Sequence, residues 1–450
     1  MTSSAVPASP QWSSRRGFLL AALGAAVGLG NIWRFSYVAG ENGGGAFVLV
    51  YLCAVLLVGW PLLIAELAIG RHARSDAVSA CAAIAPRRPW CWTGWLGVAG
   101  AFAILVYYPV VAGWVAQYLW HYASGGPMLP ETGTHAERFD ANIADPARAL
   151  SWTAIAMAAT VATVAAGVQR GIERLCTVLM PLFMILLVLL AGYGLSLDGA
   201  DRALAFLFAP DWSALGRPRT WLAAIGQAFF SIGLGMGVLV TYGAYAGAGV
   251  RLPQAALVIV LGDTLVSLLA GLTIFPAVFT HGLDPAGGPA LAFAALPEVF
   301  AAMPAGRVIA IAFFLLLAIA ALTSAVSLLE VPVALAVARM GWPRSRASTG
   351  IGALALACGI PVALGFGLLA PDPAGSPTLL DRVDHIASDL LLPASSLCVA
   401  LLAGWGWRAG TARAAAGLGD SRAGTIWLSA MRAVVPLVIA IVMMRGLGWL

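Results

Sequence analysis

The chain contains no lysine, and Asp, Glu and Arg together make up only 10% of its 450 residues. A soluble domain carries about a quarter, so a water-soluble fold is excluded. The formal charge of +5 comes from arginines distributed by loop and from no basic face, so no nucleic-acid partner is expected. The six cysteines (Cys53, Cys81, Cys91, Cys176, Cys358, Cys398) never form a CxxC spacing. They read as small apolar core residues, not as a metal or redox centre. HExxH, GxSxG and paired intramembrane aspartates are missing, and the five histidines (His72, His121, His135, His281, His385) sit near loops or span ends. That excludes an intramembrane enzyme built on a known constellation. A channel would need a continuous polar lining, which is also missing.

What is present is apolar sequence: 61% hydrophobic, with mean hydropathy +0.90. Runs of nearly 20 apolar residues match the ~30 Å hydrocarbon core of a bilayer. They fall near 15–39, 44–70, 92–121, 150–169, 172–196, 219–246, 253–280, 305–338, 348–369, 377–407 and 424–444, predicting an all-α polytopic membrane protein of eleven spans. The polar start "MTSSAVPASPQWSSRRG" has no small-residue cleavage site after the first run, so that run reads as a retained span. One set of loops holds Arg15, Arg16, Arg71, Arg74, Arg87, Arg88, Arg170, Arg174, Arg251, Arg339, Arg344, Arg346, Arg408 and Arg413. The other holds Glu131, Glu137, Asp140, Asp145, Asp198, Asp201, Asp284 and Asp372. The positive-inside rule then places the N-terminus in the cytoplasm and, with an odd span count, the C-terminus outside the cell membrane. The outer loops are the long ones, and "PALAFAALPEVFAAMP" in the last of them is too short to span and predicts a capping helix.

Two spans carry residues that a membrane helix avoids. "GAAVGLGNIWRF" (24–35) puts three glycines, Asn31 and Arg34 in span 1, and "GQAFFSIGLGMGVLVTYGAYAG" (226–247) interrupts span 6 with closely spaced glycines. Read alone, the first could be a close-packing motif. As a pair they occupy corresponding places in two five-span halves. That predicts 15–196 and 219–407 as inverted repeats of one transporter domain (1–450), with 424–444 as an extra helix. A backbone unwound at mid-membrane exposes carbonyls that can ligate a hard cation and amides that can hold a carboxylate.

"AVGLGNIWRF", "ENGGGAFVLVYL", "GWPLLIAELAIGR", "GQAFFSIGLGMG" and "LTSAVSLLE" resemble the neurotransmitter:sodium symporter family, in order over spans 1 to 10. Within it the chain resembles bacterial eleven-span members of the leucine-transporter fold, multi-hydrophobic amino acid transporters among them, in its Gly235-Met236-Gly237 break. The resemblance implies Na⁺-driven uptake of an amino acid or amine by alternating access. Carried over, the first sodium site would comprise the Ala26 carbonyl, Asn31, Ser231 and Asp263, with the substrate carboxylate. The second would use carbonyls of Gly24, Val27 and Ala320 with the hydroxyls of Thr323 and Ser324. The substrate carboxylate would meet the amides of Leu29 and Gly30 and the Tyr108 hydroxyl, and its ammonium the carbonyls of Ala25, Phe230 and Ser231. The side-chain pocket would draw on Ala25, Ile104, Phe230, Gly233, Met236, Ser327 and Leu328. Phe230 would close it from outside, beneath an Arg34–Asp384 gate pair. Hard cations want oxygen ligands, and an arginine at membrane depth wants a carboxylate, whatever the family.

Three departures matter. Asp263 replaces the asparagine of many relatives and can supply the negative charge that chloride supplies elsewhere, so chloride is not expected to be required; Tyr51, Gln227 and Ser267 stay chloride-compatible. The family's inner-gate Arg–Asp pair is missing, with Ser9 and Ala338 at those positions, so Trp12 is expected to close the inner side. Gly171 and Pro181 in span 5 imply a segment that unwinds, against the bland reading of a static proline kink. Glu66 and Glu330 are expected to brace unwound backbone.

Overall fold

The computed structural model describes residues 10–86, 90–285, 291–371 and 376–449; Ser9, Arg87, Arg88 and Asp372 lie outside them. Among the described residues the chain is helical without strands. Nine helices are long and apolar enough to cross a membrane, from Gly45–Ala73 (span 2) to Arg422–Gly446 (span 11). Span 1 is a tenth, bent by 53° between Arg15–Ala26 and Gly30–Glu41. Pro218–Ile232 and Val238–Ala244, separated at 233–237, lie where span 6 was expected. The remaining spans are Cys91–Ala123 (span 3), Pro146–Ala165 (span 4), Val168–Gly194 (span 5), Leu252–Thr280 (span 7), Gly306–Met340 (span 8), Arg344–Leu364 (span 9) and Leu379–Gly406 (span 10).

Helix ends follow the local chemistry. Asp145 caps span 4 by accepting from the amides of Ala147 and Arg148, with Pro146 in the first turn where its missing N–H costs nothing. The outer-loop helix His135–Ala144 starts with a Thr134–Glu137 capping box. The short apolar helix Ala292–Ala302 lies where the capping helix was expected, and Phe293 stacks against Phe139.

Burial separates the spans. Spans 1, 6 and 8 lie inside, with Phe18, Tyr242 and Phe314 inaccessible, whereas span 5 presents Val178, Ile185 and Leu189 outward as lipid would require. Glycines set the closest contacts. A Cβ at Gly70 of span 2 would fall 1.8 Å from the Val240 carbonyl, so the inner half of span 6 rests on bare backbone.

Span 5 carries Gly171 and Pro181 in helical surroundings. Its interval from Gly171 to Pro181 is wound, as a π-helical turn over Val168–Glu173 running into Arg174–Gly194. Gly171 serves packing here, since a Cβ would lie 2.0 Å from the Thr163 carbonyl of span 4. Pro181 is accommodated inside the helix.

Candidate functional site

The two breaks face one another. Val27 leaves the helix with ψ 108, and Asn31 closes the gap by accepting from the Gly28 amide at 2.9 Å. In span 6, Gly233, Gly235 and Gly237 adopt φ 74, 79 and 68, a region open to glycine and strained for other residues. Glu66 of span 2 steadies that stretch: its Oε1 accepts from the Gly235 amide at 2.7 Å, as expected for a brace on unwound backbone.

Between the breaks lies a cavity of about 40 Å³. Ala25, Ala26, Gly30, Ile104, Tyr108, Phe230, Ser231, Gly233, Met236, Ser324, Ser327 and Leu328 all line it, together with Asn31. Leu29 does not, although its amide donates to the Tyr108 hydroxyl at 3.4 Å. Gly28, Ile232, Val238 and Leu239 line it without having been singled out; each flanks a break, which was the available signal. The walls are apolar, and Met236 folds back until its sulfur would lie 3.7 Å from a Cβ at Gly233.

On one side of the cavity, Asp263 is fully buried and its partners are all neutral. Ser231 Oγ donates to Oδ2 at 2.7 Å, Tyr51 to the same oxygen at 3.3 Å, and Asn31 Nδ2 to Oδ1 at 2.6 Å. Asn31 Nδ2 also donates to Ser231 Oγ at 2.8 Å and Ser267 Oγ at 3.0 Å. A buried carboxylate with no basic partner among the described residues is strongly unfavourable unless a cation or proton joins it. The surrounding oxygens suit Na⁺. The Asn31 amide nitrogen points into this oxygen cluster, while its Oδ1 is turned to the Gly28 amide. Gln227, one of the chloride-compatible positions, instead donates to the Gly30 carbonyl at 3.0 Å.

On the other side, Ser324 donates to the Val27 carbonyl at 3.2 Å, joining span 8 to the first break. Thr323 donates to the carbonyls of Ile319 and Ala320 at 3.0 and 3.2 Å, and its Cβ is 3.4 Å from where a Cβ would stand on Gly24. The Val27 and Ala320 carbonyls thus each accept from one of the two hydroxyls, those of Ser324 and Thr323 respectively.

Above the cavity, Phe230 lies on Gly30, where a Cβ would meet its ring at 2.6 Å. Arg34 stacks on the outer side of the same ring, 4.1 Å from its centroid. Arg34 and Asp384 do not form an ion pair within 4.0 Å; Asp384 instead accepts from the hydroxyls of Tyr107 (2.6 Å) and Ser388 (2.7 Å). Below, Trp12 is buried as expected, and its indole N–H donates to the Tyr242 carbonyl at 3.0 Å. Glu330 corrects an expectation: it braces no unwound backbone but pairs with Arg344 and accepts from the Tyr245 hydroxyl.

A helical bundle with two facing breaks, closed above and below a buried cavity, is the architecture of a secondary transporter. The chain belongs to the sodium:neurotransmitter symporter family, whose model matches residues 9–131 and 134–447. It is 41% identical over 391 residues to the uncharacterized sodium-dependent transporter YhdH of Bacillus subtilis, covering 87% of this chain and 86% of that protein. An uncharacterized sodium-dependent transporter of Haemophilus influenzae is 32% identical over 447 residues, covering 97% and 98% respectively. The crystal structure of MhsT in complex with L-phenylalanine superposes with a TM-score of 0.91 at 48% identity, covering 97% of this chain and 99% of that one.

Proposed function

We propose that the chain is a Na⁺-coupled symporter that imports large hydrophobic or aromatic L-amino acids by alternating access, without a requirement for chloride. It would lie in the cell membrane with its N-terminus in the cytoplasm and its C-terminus outside. The observation that carries this reading is the apolar cavity between the two breaks, flanked on one side by the buried Asp263 carboxylate with its neutral protein partners and on the other by the Val27–Ser324 contact. The likeness to a structure holding L-phenylalanine supports the substrate class.

In this reading one Na⁺ is held by Ala26, Asn31, Ser231 and Asp263 and shares the substrate carboxylate. A second is held by Gly24, Val27, Ala320, Thr323 and Ser324. The Tyr108 hydroxyl and the amides of Leu29 and Gly30 orient the carboxylate, and carbonyls at Ala25, Phe230 and Ser231 receive the ammonium. Phe230 with Arg34 forms the outer lid, and Asp384 joins the gate from span 10. The bend of span 1 and the break of span 6 support reading 15–196 and 219–407 as inverted repeats. Gly171 and Pro181 bracket the part of span 5 that would unwind toward the cytoplasm.

A second reading, small neutral amino acids or amines, is favoured by the cavity volume. About 40 Å³ holds only a few waters, so a tryptophan requires Met236 and the glycine stretch to move aside. The deciding experiment is uptake into proteoliposomes with and without a Na⁺ gradient, with all twenty amino acids as competitors. Saturable Na⁺-dependent accumulation supports symport, and its absence overturns it.

A further inference from the structure

The sequence lacks the family's inner-gate charges, and the structure offers a different fastening. Three consecutive residues of the N-terminal segment bridge two spans. The Gln11 carbonyl accepts from Gln169 at 2.7 Å, at the start of span 5. The backbone amide of Trp12 donates to the Tyr245 carbonyl at 3.1 Å, at the end of span 6, and its indole to Tyr242. Ser13 then returns to span 5: its amide donates to Glu173 Oε2 at 2.8 Å and its hydroxyl to Glu173 Oε1 at 2.6 Å.

Glu173 is 5% exposed, and among the described residues no basic side chain pairs with it. Ser13 reaches both carboxylate oxygens through charge-assisted bonds, which are the strong kind, and the Ser14 hydroxyl adds a long contact to Oε1 at 3.5 Å. Space for that carboxylate exists because residue 17 is glycine; a Cβ there would fall 1.7 Å from Oε1. Span 5 then carries the same face inward. Cys176 and Met180, three and seven residues beyond Glu173, are buried, and a Cβ at Gly24 would lie 3.2 Å from each sulfur. One helical stripe therefore holds the N-terminal segment at its cytoplasmic end and covers Gly24 further in.

We propose that Glu173 is the positioning residue of the cytoplasmic gate: by binding Ser13 it keeps the first half of span 1 against span 5 and keeps the Gly24–Thr323 region covered. This rests on the symport reading, in which that region is the second sodium site. Releasing Ser13 frees the segment carrying Trp12 and the stripe bearing Cys176 together.

Cys176 is a native reporter, since it is fully buried behind the fastening. The test is the rate of N-ethylmaleimide modification of Cys176, followed by peptide mass spectrometry on the full-length protein in nanodiscs with Na⁺. Wild type is compared with Glu173→Gln and Ser13→Ala, and Na⁺-induced thermal stabilisation shows that each variant is folded. Glu173→Gln should label about tenfold faster, the factor expected when a charge-assisted bond is lost from the closed state, and Ser13→Ala should label faster by a smaller factor. Glu173→Asp should restore part of the protection. Labelling at the wild-type rate in folded Glu173→Gln and Ser13→Ala overturns the proposal. If Na⁺ does not slow labelling of wild type, the symport reading is what fails, and the comparison between variants still decides the latch.

Discussion

The Tyr107 hydroxyl holds Asp384 at 2.6 Å, while Arg34, the expected partner of that carboxylate, lies 4.1 Å over the Phe230 ring. The cover over the cavity is therefore a stack: arginine on aromatic ring on the bare backbone of Gly30. A desolvated cation–π contact contributes about 0.5–2 kcal/mol. Phe230→Leu keeps the apolar cover and loses the ring, so the Kd for a bound hydrophobic amino acid should rise roughly 2- to 30-fold. Calorimetric titration in Na⁺ checks this, and an unchanged Kd would show that the ring is not the lid.

Thr323→Ala with Ser324→Ala should abolish Na⁺-driven uptake while leaving the fold intact. Both hydroxyls donate to carbonyls of span 8 or span 1, and losing a donor leaves those acceptors less costly to bury than an orphaned N–H. Na⁺ affinity should fall at least about tenfold, since a hydrogen-bonding group that serves a charge is worth roughly 1.5–3 kcal/mol. Wild-type Na⁺ affinity in the double variant would remove these residues from the ion site.

Replacing chloride by gluconate should leave wild-type uptake unchanged. Asp263 places a carboxylate against Ser231, Tyr51 and Asn31, and in the symport reading it is this group that carries the compensating negative charge. Asp263→Asn removes that charge while preserving shape, so the variant should be inactive or newly chloride-dependent. Strong chloride dependence of the wild type would show that the carboxylate does not supply the compensating charge.

The span pattern was legible because lipid imposes length and apolarity on every crossing helix. Segments expected at 15–39 and 44–70 are found at Arg15–Glu41 and Gly45–Ala73. The span 6 break was legible in the alternating Gly233, Gly235 and Gly237, each of which takes a positive φ, and the span 1 break in Asn31 and Arg34 beside its glycines. Burial of Trp12 was legible for a related reason, a large aromatic side chain in a polar N-terminal stretch. Pairings decided by tertiary contact were not. Glu330 finds Arg344 across the turn between spans 8 and 9, and Arg344 reads in the sequence as one more loop arginine. Asp384 is claimed by Tyr107 because two adjacent tyrosines in span 3 face different ways, one toward the gate and one toward Leu29. The contacts that Glu173 and Gly171 make, with Ser13 and with the Thr163 carbonyl, likewise could not be read from the spacing of a glycine and a proline.

Substrate size gives the sharpest test of the pocket. Filling Gly233 is a poor probe, because φ 74 would strain any side chain placed there. Ala25 is better: it lies within the regular helix Arg15–Ala26 and lines the cavity, so a larger residue changes volume without changing backbone. Leucine at this position adds three carbons to a site where each buried CH₂ of the ligand is worth roughly 0.8 kcal/mol. In the wild type, competition against labelled leucine should be strong for phenylalanine, tyrosine and tryptophan and weak for glycine, alanine and glutamate. Among the described residues no charged side chain lines the cavity to receive an acidic or basic substrate. In Ala25→Leu the aromatic competitors should lose at least about tenfold in affinity, equivalent to roughly two methylenes of burial, while alanine loses little. Met236, unbranched and adaptable, is the side chain that must swing aside for the large set. Met236→Val, short and stiff at χ1, should therefore alter the ranking among large substrates while leaving Na⁺ binding unchanged. If alanine, glycine or glutamate outcompetes the aromatic set in the wild type, the small-substrate reading replaces the large one.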